Sequence, residues 1–334
     1  MNMQDRGNDM KVVVIGGAGF IGSNIVDELV NNNYEVCVID NLSTGRIENL
    51  NDKARFYKCD ITNIDALKLV FQIEEPEVVY HFAAQIDVQT SLIKPGFDAN
   101  INIIGTINVL ECCRKYEVKK IVYPSSAAVY GNPEYLPVDE KHPVEPISFY
   151  GISKHTPEHY IKTFCNLCDI RYTIFRYSNV YGMRQDPKGE GGVVSIFIDK
   201  FLNNKLPVIY GSGEQTRDFI YVKDIAKANL LALSKGDNKI VNISTNVPVT
   251  VNRLFQTMKD IFESDVEVIH KQSRQGDILH SYLDNTLARE FLGWNPEYDF
   301  ENGIRETIEY YKKLYILNKE IEENKIYIIN GIDF

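Results

Sequence analysis

The feature that most constrains the fold is a glycine-rich turn close to the amino terminus. The apolar run at residues 12–15 is followed by the sequence GGAGFIG, and a helix is predicted to begin near Phe20. Glycines between a buried strand and a helix let the chain turn tightly and let bare backbone approach a pyrophosphate, whose charge is stabilised by the N–H groups and dipole of the helix N-terminus. The turn therefore predicts an α/β fold with a phosphate-binding site at this strand-to-helix connection.

The acidic residue that ends the next apolar run indicates which dinucleotide binds. The turn fits two glycine patterns, one through Gly17, Gly19 and Gly22 and a wider one that begins at Gly16. The run EVCVID then ends at Asp40, eighteen residues after Gly22. A carboxylate here accepts both ribose hydroxyls of NAD and repels the 2′-phosphate of NADP, and no arginine directly follows Asp40. These features predict NAD; the alternative is a glycine-rich loop with a solvated aspartate.

Length, charge and cysteine content limit the classes of protein to which the chain can belong. It has 334 residues, of which 44% are apolar and 25% charged, as in a globular protein with one large core or two. The 36 basic and 46 acidic residues give a net charge of −10, so no nucleic-acid partner is expected. No apolar run approaches the roughly 20 residues that span a bilayer, and the first ten residues are polar, which predicts a cytoplasmic protein without membrane contact. The six cysteines lack a second ligand pair at zinc spacing and are interpreted as reduced thiols that bind no metal.

Apolar runs that alternate with helical patterns indicate the architecture. The runs are VVVI, EVCVID, RFYKCDI, EVVYHFAA, KKIVYPSS and YTIFRYSNVYG. This alternation predicts a doubly wound parallel sheet in a first domain over residues 10–181. It stops after about Gly182, which predicts a smaller second domain over residues 182–334, with residues 219–246 as candidates to return to the main sheet. The helices at about residues 100–116 and after Tyr150 are rich in apolar and small residues, and we expect them to pair in a homodimer.

A serine, a tyrosine and a lysine follow the dinucleotide turn in the order that hydride-transfer chemistry requires. Ser126 ends the fifth run, and 24 residues later the segment YGISK places Tyr150 and Lys154 on one helix face at i and i+4. A phenol has a reference pKa of about 10, but an adjacent ammonium and a positive nicotinamide both favour the phenolate. We therefore predict that Tyr150 transfers the proton of a substrate hydroxyl, with Ser126 hydrogen-bonded to the same oxygen. Taken alone, Y-x-x-x-K is common in a chain with 20 tyrosines, and the alternative is an ordinary amphipathic helix start.

Together these motifs resemble those of the extended short-chain dehydrogenase/reductases, specifically the UDP-hexose 4-epimerases. The resemblance covers about residues 11–312 and rests on GGAGFIG, DNLSTG, CDI, HFAAQ, SSAAVYG and YGISK. It implies a Rossmann-type sheet with a smaller C-terminal α/β substrate domain, a tightly bound NAD and a UDP-sugar substrate. It also implies that Asp60 meets the adenine, with Asn41 and Ser43 near the ribose. Asn100 and Tyr177 are expected near the nicotinamide. The other cofactor-binding residues are Gly16, Gly19, Phe20, Ile21, Gly22, Asp40, Ile61, Ala83, Tyr150 and Lys154.

Two alanines after the serine distinguish the chain from related enzymes. The 4,6-dehydratases carry Asp-Glu directly after the catalytic Ser or Thr, and decarboxylases carry Glu two positions after it, whereas this chain has Ala127 and Ala128. An elimination needs an acid and a base, and alanine supplies neither. The resemblance therefore implies epimerisation at C4: Tyr150 removes the O4 proton, NAD takes the C4 hydride, and the 4-keto sugar turns over before hydride returns. The alternatives are a UDP-glucuronate 4-epimerase, a 4-reductase and, from another class, a cofactor-sensing regulator.

The second domain contains candidates for binding the nucleotide sugar. By resemblance, Arg217 and Arg274 clamp the diphosphate, because guanidinium forks suit phosphate oxygens. Ser281 stands where epimerases restricted to glucose and galactose have a bulky tyrosine, so the pocket is expected to admit a 2-acetamido group as well as plain hexoses. The alternative is a serine in a turn that leaves specificity unchanged. The other residues matched to the substrate are Gln85, Ser126, Asn179, Val208, Tyr210 and Asp277.

Overall fold

The central element of the fold is a seven-stranded parallel sheet. The computed structural model describes residues 10–188, 192–273 and 278–330. With strands numbered along the chain, the sheet contains β1 (Lys11–Ile15), β2 (Glu35–Asp40), β3 (Arg55–Lys58), β4 (Val78–His81), β5 (Lys120–Ser126), β6 (Arg171–Tyr177) and β11 (Lys239–Ile243). Their order is β11-β6-β5-β4-β1-β2-β3. The predicted doubly wound parallel sheet is confirmed.

Helices cover both faces of this sheet, which explains why its strands are continuous apolar runs. Val12 and Val14 of β1 belong to one buried cluster, and Val13 and Ile15 belong to another, as the alternation of side chains along a strand requires. The helices are α1 (Phe20–Asn31), α2 (Ile64–Glu74), α3 (Val88–Ile93), α4 (Pro95–Ala99), α5 (Gly105–Lys115), α6 (Phe149–Cys168), α7 (Val193–Leu202), α8 (Val222–Ala232), α9 (Val251–Phe262), α10 (Thr286–Leu292) and α11 (Phe300–Asn330). The first cluster contains residues of α1, α8 and α10, and the second contains residues of α2, α5 and α6.

The strand order reverses between β1 and β4, and this reversal positions the site. On one side of β1 the sheet continues to β2 and β3, and on the other it continues to β4, β5 and β6. The connections that leave the two strands diverge to opposite sides, so a crevice opens at their carboxyl ends. The glycine turn follows β1, and HFAAQ follows β4. Both segments therefore border the crevice.

A third buried cluster forms the smaller part of the molecule. It joins α7, α9 and the first turns of α11 through Phe197, Leu254 and Ile304. Short strands surround it: β7 (Asn179–Tyr181) pairs with β10 (Phe219–Tyr221), β8 (Val208–Tyr210) pairs with β13 (Ile269–Lys271), and β9 (Thr216–Arg217) lies between β12 (Val249–Thr250) and β14 (His280–Ser281). The chain crosses between the two parts more than once, because α8, β11 and α10 all pack in the main sheet region.

The sixth apolar run does not form one strand. Strand β6 ends at Tyr177, and after Ser178 the chain begins β7, which pairs with β10 outside the main sheet. The division follows from long-range partners, since Ser178 N donates to Ile243 O and Asn179 N donates to Asp218 O. Both halves of the run are apolar, so local periodicity does not reveal the break.

Among the described residues, no helix is both long enough and apolar enough to cross a membrane.

Candidate active site

A cavity of about 760 Å³ lies at the carboxyl ends of the strands. It extends from the end of β2, past the glycine turn, to the start of α6. Most of the predicted cofactor residues line it, together with three of the predicted substrate residues. The predicted residues in its lining are Gly16, Gly19, Phe20, Ile21, Gly22, Asp40, Asn41, Ser43, Asp60, Ile61, Ala83, Gln85, Ser126, Tyr150, Lys154, Tyr177 and Asn179.

The glycine turn packs backbone against backbone. Gly16 has φ +81°, and a Cβ there would lie 2.5 Å from the backbone N of Ala83. A Cβ at Gly22 would lie 2.2 Å from the carbonyl oxygen of Gly16. Gly19 is the N-cap of α1 and offers no side-chain cap, so the first N–H groups of the helix are available to an anion in the cavity. Gly16, Gly19 and Gly22 line the cavity, which selects the wider of the two glycine patterns.

Asp40 ends β2 at the far end of the cavity. Its Oδ2 accepts from Ala18 N at 3.0 Å and its Oδ1 accepts from Leu42 N at 2.8 Å. Burial raises the pKa of this carboxyl, and the two backbone hydrogen bonds oppose that effect. Each carboxylate oxygen keeps a further lone pair for a ribose hydroxyl. Arg46, in the loop that follows, forms an ion pair with Asp186, so its charge is already neutralised and does not favour a 2′-phosphate.

Asp60 and Asn41 form a second polar cluster at the same end of the cavity. Asp60 Oδ1 accepts from the backbone N and the hydroxyl of Thr62 at 2.8 and 2.7 Å, and Oδ2 accepts from Asn41 Nδ2 at 2.8 Å. Burial alone would raise the pKa of Asp60, but these hydrogen bonds outweigh it and lower the pKa. Asn41 Oδ1 accepts in turn from Ser43 N at 2.9 Å. The loop is therefore rigidly held beside Asp40.

The serine and the tyrosine are brought together by a close contact between β5 and α6. Ser126 ends β5, and its Oγ accepts from Ala128 N at 3.2 Å. Helix α6 is capped by Ser148, whose Oγ accepts from Gly151 N at 3.1 Å. A Cβ at Gly151 would lie 2.7 Å from the carbonyl oxygen of Ala128, so the glycine lets the helix start pack directly on the turn after Ser126. Tyr150, one residue earlier, lines the cavity beside Ser126.

Lys154 is buried one helical turn beyond Tyr150. Its Nζ lies 4.5 Å from the centroid of the Tyr123 ring, at the distance of a cation–π contact. Burial lowers the pKa of Lys154 to about 7, and the carboxylates of Glu158 and Asp98 partly offset this effect. A phenol, a hydroxyl and a buried ammonium thus border one end of the cavity, which is the arrangement needed to move a proton between a substrate hydroxyl and Tyr150.

Asn100 is not where the sequence analysis expected it. Its side chain is exposed and does not line the cavity. Residues 100–104 form a π-helical turn that shifts the register of the helix, and the turn carries Asn102 inward instead. Asn102 Oδ1 accepts from Gln85 N at 2.7 Å, and its Nδ2 donates to Ser153 Oγ at 2.9 Å. The segment NINIIG contains both asparagines, and only the helical register distinguishes them.

The remaining substrate candidates lie beyond the cavity wall. Val208 and Tyr210 are on β8, Arg217 is on β9 and Ser281 is on β14, and none of the four lines the described cavity. Arg274 and Asp277 fall outside the described residues. Sequence reasoning missed Asp218, which is buried beside Arg217. Its carboxylate accepts from the hydroxyl and backbone N of Thr245 and from the backbone N of Asn246. The motif TRDFIYV contains this aspartate, but only the fold reveals its partners.

The fold and site define an NAD-binding enzyme of the extended short-chain dehydrogenase/reductase class. Residues 12–244 match the model of the NAD dependent epimerase/dehydratase family. A protein of Methanocaldococcus jannaschii that carries the provisional name UDP-glucose 4-epimerase is 52% identical, over 90% of this chain and 98% of its own. UDP-glucose 4-epimerase of Thermotoga maritima, solved with UDP-glucose, is 46% identical with a TM-score of 0.90, over 91% of this chain and 99% of that one.

A third relative carries an N-acetylated sugar in its name. It is UDP-N-acetylglucosamine 4-epimerase of Methanobrevibacter ruminantium, solved with UDP-N-acetylmuramic acid, at 38% identity and a TM-score of 0.87 over 92% of this chain and 99% of that one. The chain belongs to the NAD dependent epimerase/dehydratase family. It is an NAD-dependent epimerase, as the sequence motifs predicted.

The residues present fit NAD along the whole cavity. Asp40 lies at the end expected for the adenosine ribose, the uncapped N-terminus of α1 lies in the middle for the pyrophosphate, and Tyr150 lies at the other end. Tyr177 also lines this second end, and its hydroxyl accepts from Asn229 Nδ2 at 2.7 Å. A dinucleotide that spans these groups brings its nicotinamide beside the proton-transfer residues.

Proposed function

We propose that this protein interconverts the C4 epimers of UDP-hexoses and that it accepts N-acetylated as well as plain sugars. The observation that carries the proposal is the grouping of Ser126, Tyr150 and Lys154 at one end of the dinucleotide cavity, next to a turn that begins with Ala127 and Ala128. The relatives described above are named as 4-epimerases, the one from Methanocaldococcus jannaschii provisionally, and these names support the assignment.

The chain's own residues perform the proton transfers. Tyr150 accepts the O4 proton of the sugar and later returns it, and Ser126 donates a hydrogen bond to the same oxygen. Lys154 lowers the cost of the Tyr150 phenolate because a cation one helical turn away favours a neighbouring anion. NAD, when bound, supplies the hydride acceptor at C4. Since the same tyrosine serves both directions, the residues support a reversible reaction through a 4-keto sugar with no net consumption of NADH.

The acids in the cavity favour epimerisation over elimination. The carboxylates that line its described part belong to Asp40, Asp60 and Asp87. The first two are engaged at the adenosine end, and Asp87 caps α3 by accepting from Thr90 N at 2.6 Å. Ala127 and Ala128 stand where a dehydratase needs its acid and base. A C4 epimerase needs neither group.

We also propose that the protein is a cytoplasmic homodimer. All six cysteines are free, as expected in a reducing compartment. A shallow apolar groove lies on the outer face of α5 and α6, and exposed apolar residues continue along α6. We propose that two copies pair through these helices, with Phe149, Ile152, Tyr160 and Leu167 in the interface.

Proton NMR of the purified protein tests the activity. UDP-N-acetylglucosamine, UDP-glucose and UDP-glucuronate are incubated in parallel without added cofactor. We expect the axial-H4 and equatorial-H4 epimers to equilibrate for the first two sugars. Conversion of the glucuronate alone would instead identify a uronate epimerase, a requirement for NADH would identify a reductase, and no conversion at all would indicate a regulator.

A further inference from the structure

Asp98 is a buried carboxylate that the reaction scheme does not yet use. It lies on α4 directly before the π-helical turn and is 1% exposed. Its Oδ1 accepts from Gln85 Nε2 at 2.7 Å and from Asn102 Nδ2 at 3.3 Å. Its Oδ2 has no hydrogen-bond partner among the described residues. A buried carboxylate with one unbonded oxygen is costly unless a positive charge lies close by.

The charges around Lys154 indicate which cation compensates Asp98. Glu158, the other carboxylate near Lys154, is already balanced, because Arg176 donates to it at 3.0 and 2.6 Å. Among the described residues, neither Asp98 nor Lys154 forms a salt bridge of its own. Burial lowers the pKa of Lys154, and the charges of Glu158 and then Asp98 oppose this effect and favour the ammonium. Asp98 is therefore the carboxylate without a cationic partner that acts on the Lys154 ammonium, and the helices that carry the two side chains, α4 and α6, pack together.

The other ionisable groups that face Lys154 do not replace Asp98. His81 on β4 is neutral, because burial, together with the nearby Lys154, lowers its pKa to about 3. The Thr106 hydroxyl donates its proton to Asn102 O, so His81 Nε2 is the donor in the hydrogen bond to Thr106 Oγ1. Tyr123 on β5 is buried, and burial raises its pKa well above the ordinary value. Among the described residues, the ionisable groups that contact Lys154 or act on its charge include His81 from β4, Asp98 from α4, Tyr123 from β5 and Glu158 from α6. Tyr150 lies one turn earlier on α6, and Arg176 from β6 pairs with Glu158.

Hydrogen bonds also connect Asp98 to the catalytic helix. Asn102, which donates to Asp98, also donates to Ser153 Oγ at 2.9 Å. The Ser153 hydroxyl in turn donates to the carbonyl oxygen of Tyr150 at 3.1 Å. Gln85, held by Asp98, lines the cavity. One carboxylate thus orients a cavity-lining amide and lies at the end of a hydrogen-bonded chain to Tyr150.

We propose that Asp98 is a positioning residue of the epimerase, whose carboxylate is the counter-charge that keeps Lys154 an ammonium and whose hydrogen bonds hold Gln85 and Asn102 against α6. The inference rests on the proposed function only for the roles of Tyr150 and Lys154. Removing the charge makes the ammonium less favourable, so the pKa of Lys154 falls. Tyr150 then loses part of its stabilising cation, so its own pKa rises. The pH range in which Tyr150 is a phenolate beside a charged Lys154 becomes narrower from both sides.

Titration of Tyr150 in the holoenzyme tests this without any sugar. The ultraviolet difference absorbance of tyrosinate is followed against pH in the parent protein and in Asp98→Asn, each referenced to its Tyr150→Phe counterpart. We expect the midpoint in Asp98→Asn to rise by about one pH unit or more, as when a stabilising cation is lost. We also expect kcat for UDP-glucose at pH 7 to fall roughly 10-fold with little change in KM. Asp65→Asn on the outer face of α2 removes the same charge at a 91% exposed side chain and should change neither quantity.

The remaining variants separate charge from structure. Asp98→Glu keeps the charge and should restore the midpoint, whereas Asp98→Ser, a smaller neutral side chain, should shift it as Asp98→Asn does. An unshifted midpoint in a folded, NAD-loaded neutral variant would overturn the proposal. So would failure of both neutral variants to fold while Asp98→Glu folds, because the charge would then serve stability alone. If the midpoint shifts as expected but no sugar is converted, the role of Asp98 stands and the epimerase assignment fails.

Discussion

Ser281 and Arg217 are register partners in the parallel pair of β14 and β9. In such a pair the two side chains lie on the same face of the sheet. The flanking residues show the opposite face, where Thr216 Oγ1 and His280 Nδ1 are 3.0 Å apart. The residue proposed to bind the diphosphate and the residue proposed to admit the acetamido group are therefore neighbours, although 64 positions separate them in the sequence.

Ser281→Tyr should restrict the enzyme to plain hexoses. A phenol beside Arg217 would occupy the space proposed for the 2-acetamido group, and overpacking costs on the order of 1–3 kcal/mol, or roughly 5- to 150-fold. We expect kcat/KM for UDP-N-acetylglucosamine to fall by that factor while the value for UDP-glucose changes little. Ser281→Ala, which leaves the space open, is the matched control. An equal loss for both sugars in Ser281→Tyr would mean that residue 281 does not face C2.

Tyr150→Phe should leave the cofactor bound but slow turnover. The hydroxyl that moves the O4 proton is lost, and general acid–base catalysis contributes at least roughly 100-fold. We expect kcat to fall by that factor with an unchanged NAD content. Tyr310→Phe removes a hydroxyl from a partly exposed position on α11, outside the proposed site and interface, and should retain normal turnover. Near-normal turnover of a folded Tyr150→Phe protein would refute the assignment of the base.

The purified protein should contain NAD or NADH, and Gly22→Ala should lose it. An epimerase recovers its own hydride and gains nothing from exchanging the cofactor. A Cβ at Gly22 would lie 2.2 Å from Gly16 O and displace the phosphate-binding turn. We expect roughly 5- to 150-fold weaker retention, measured by enzymatic cycling after denaturation. Gly96→Ala is the control, because nothing lies within 4 Å of a Cβ there. A site filled with NADP would contradict the role of Asp40.

Glu158→Gln should reduce the loss of folding stability that occurs as the pH is lowered below 5. Burial alone would raise the pKa of Glu158, but hydrogen bonds from His155, Arg176 and Ser125 lower it to about 2, from 4.5. A depressed carboxyl pKa contributes stability that is present above pH 4.5 and lost as pH falls toward 2, here on the order of 3 kcal/mol. We expect the free energy of unfolding, measured with urea between pH 5 and 3, to fall less steeply with decreasing pH in Glu158→Gln than in the exposed control Glu290→Gln. Identical pH dependences would mean that the pairing with Arg176 stabilises the Glu158 carboxylate no more than hydration does in the unfolded chain.

Leu167→Glu should separate the proposed dimer. Leu167 is 80% exposed on α6 and borders the apolar groove between α5 and α6. Two buried glutamates facing each other across an interface would be unpaired charges in an apolar environment. We expect sedimentation equilibrium to give monomers for Leu167→Glu and dimers for Leu69→Glu, a change at a 62% exposed position on α2. A Leu167→Glu dimer would place the interface elsewhere.

The sequence by itself determined the parts of this protein that depend on short spacings. The glycine turn, the aspartate that ends β2 and the Tyr150–Lys154 pair each lie within one strand, one turn or one helix, where local geometry follows from residue type. Asp40 indicated NAD, and the resemblance of these motifs to known enzymes then indicated the class of reaction. Such features could be read in advance because no distant segment has to be placed to form them.

Only the tertiary structure decided the features that join distant segments. The π-helical turn buries Asn102 and leaves Asn100 exposed. Pairing of β7 with β10 splits the sixth apolar run into two strands, and the register of β14 on β9 places Ser281 next to Arg217. Asp98 and Lys154 are 56 residues apart in the sequence, and the charge of Asp98 acts on Lys154 because α4 and α6 pack together. Local periodicity does not show which of several similar residues a distant segment will contact. Packing and charge pairing between distant segments therefore determine these contacts.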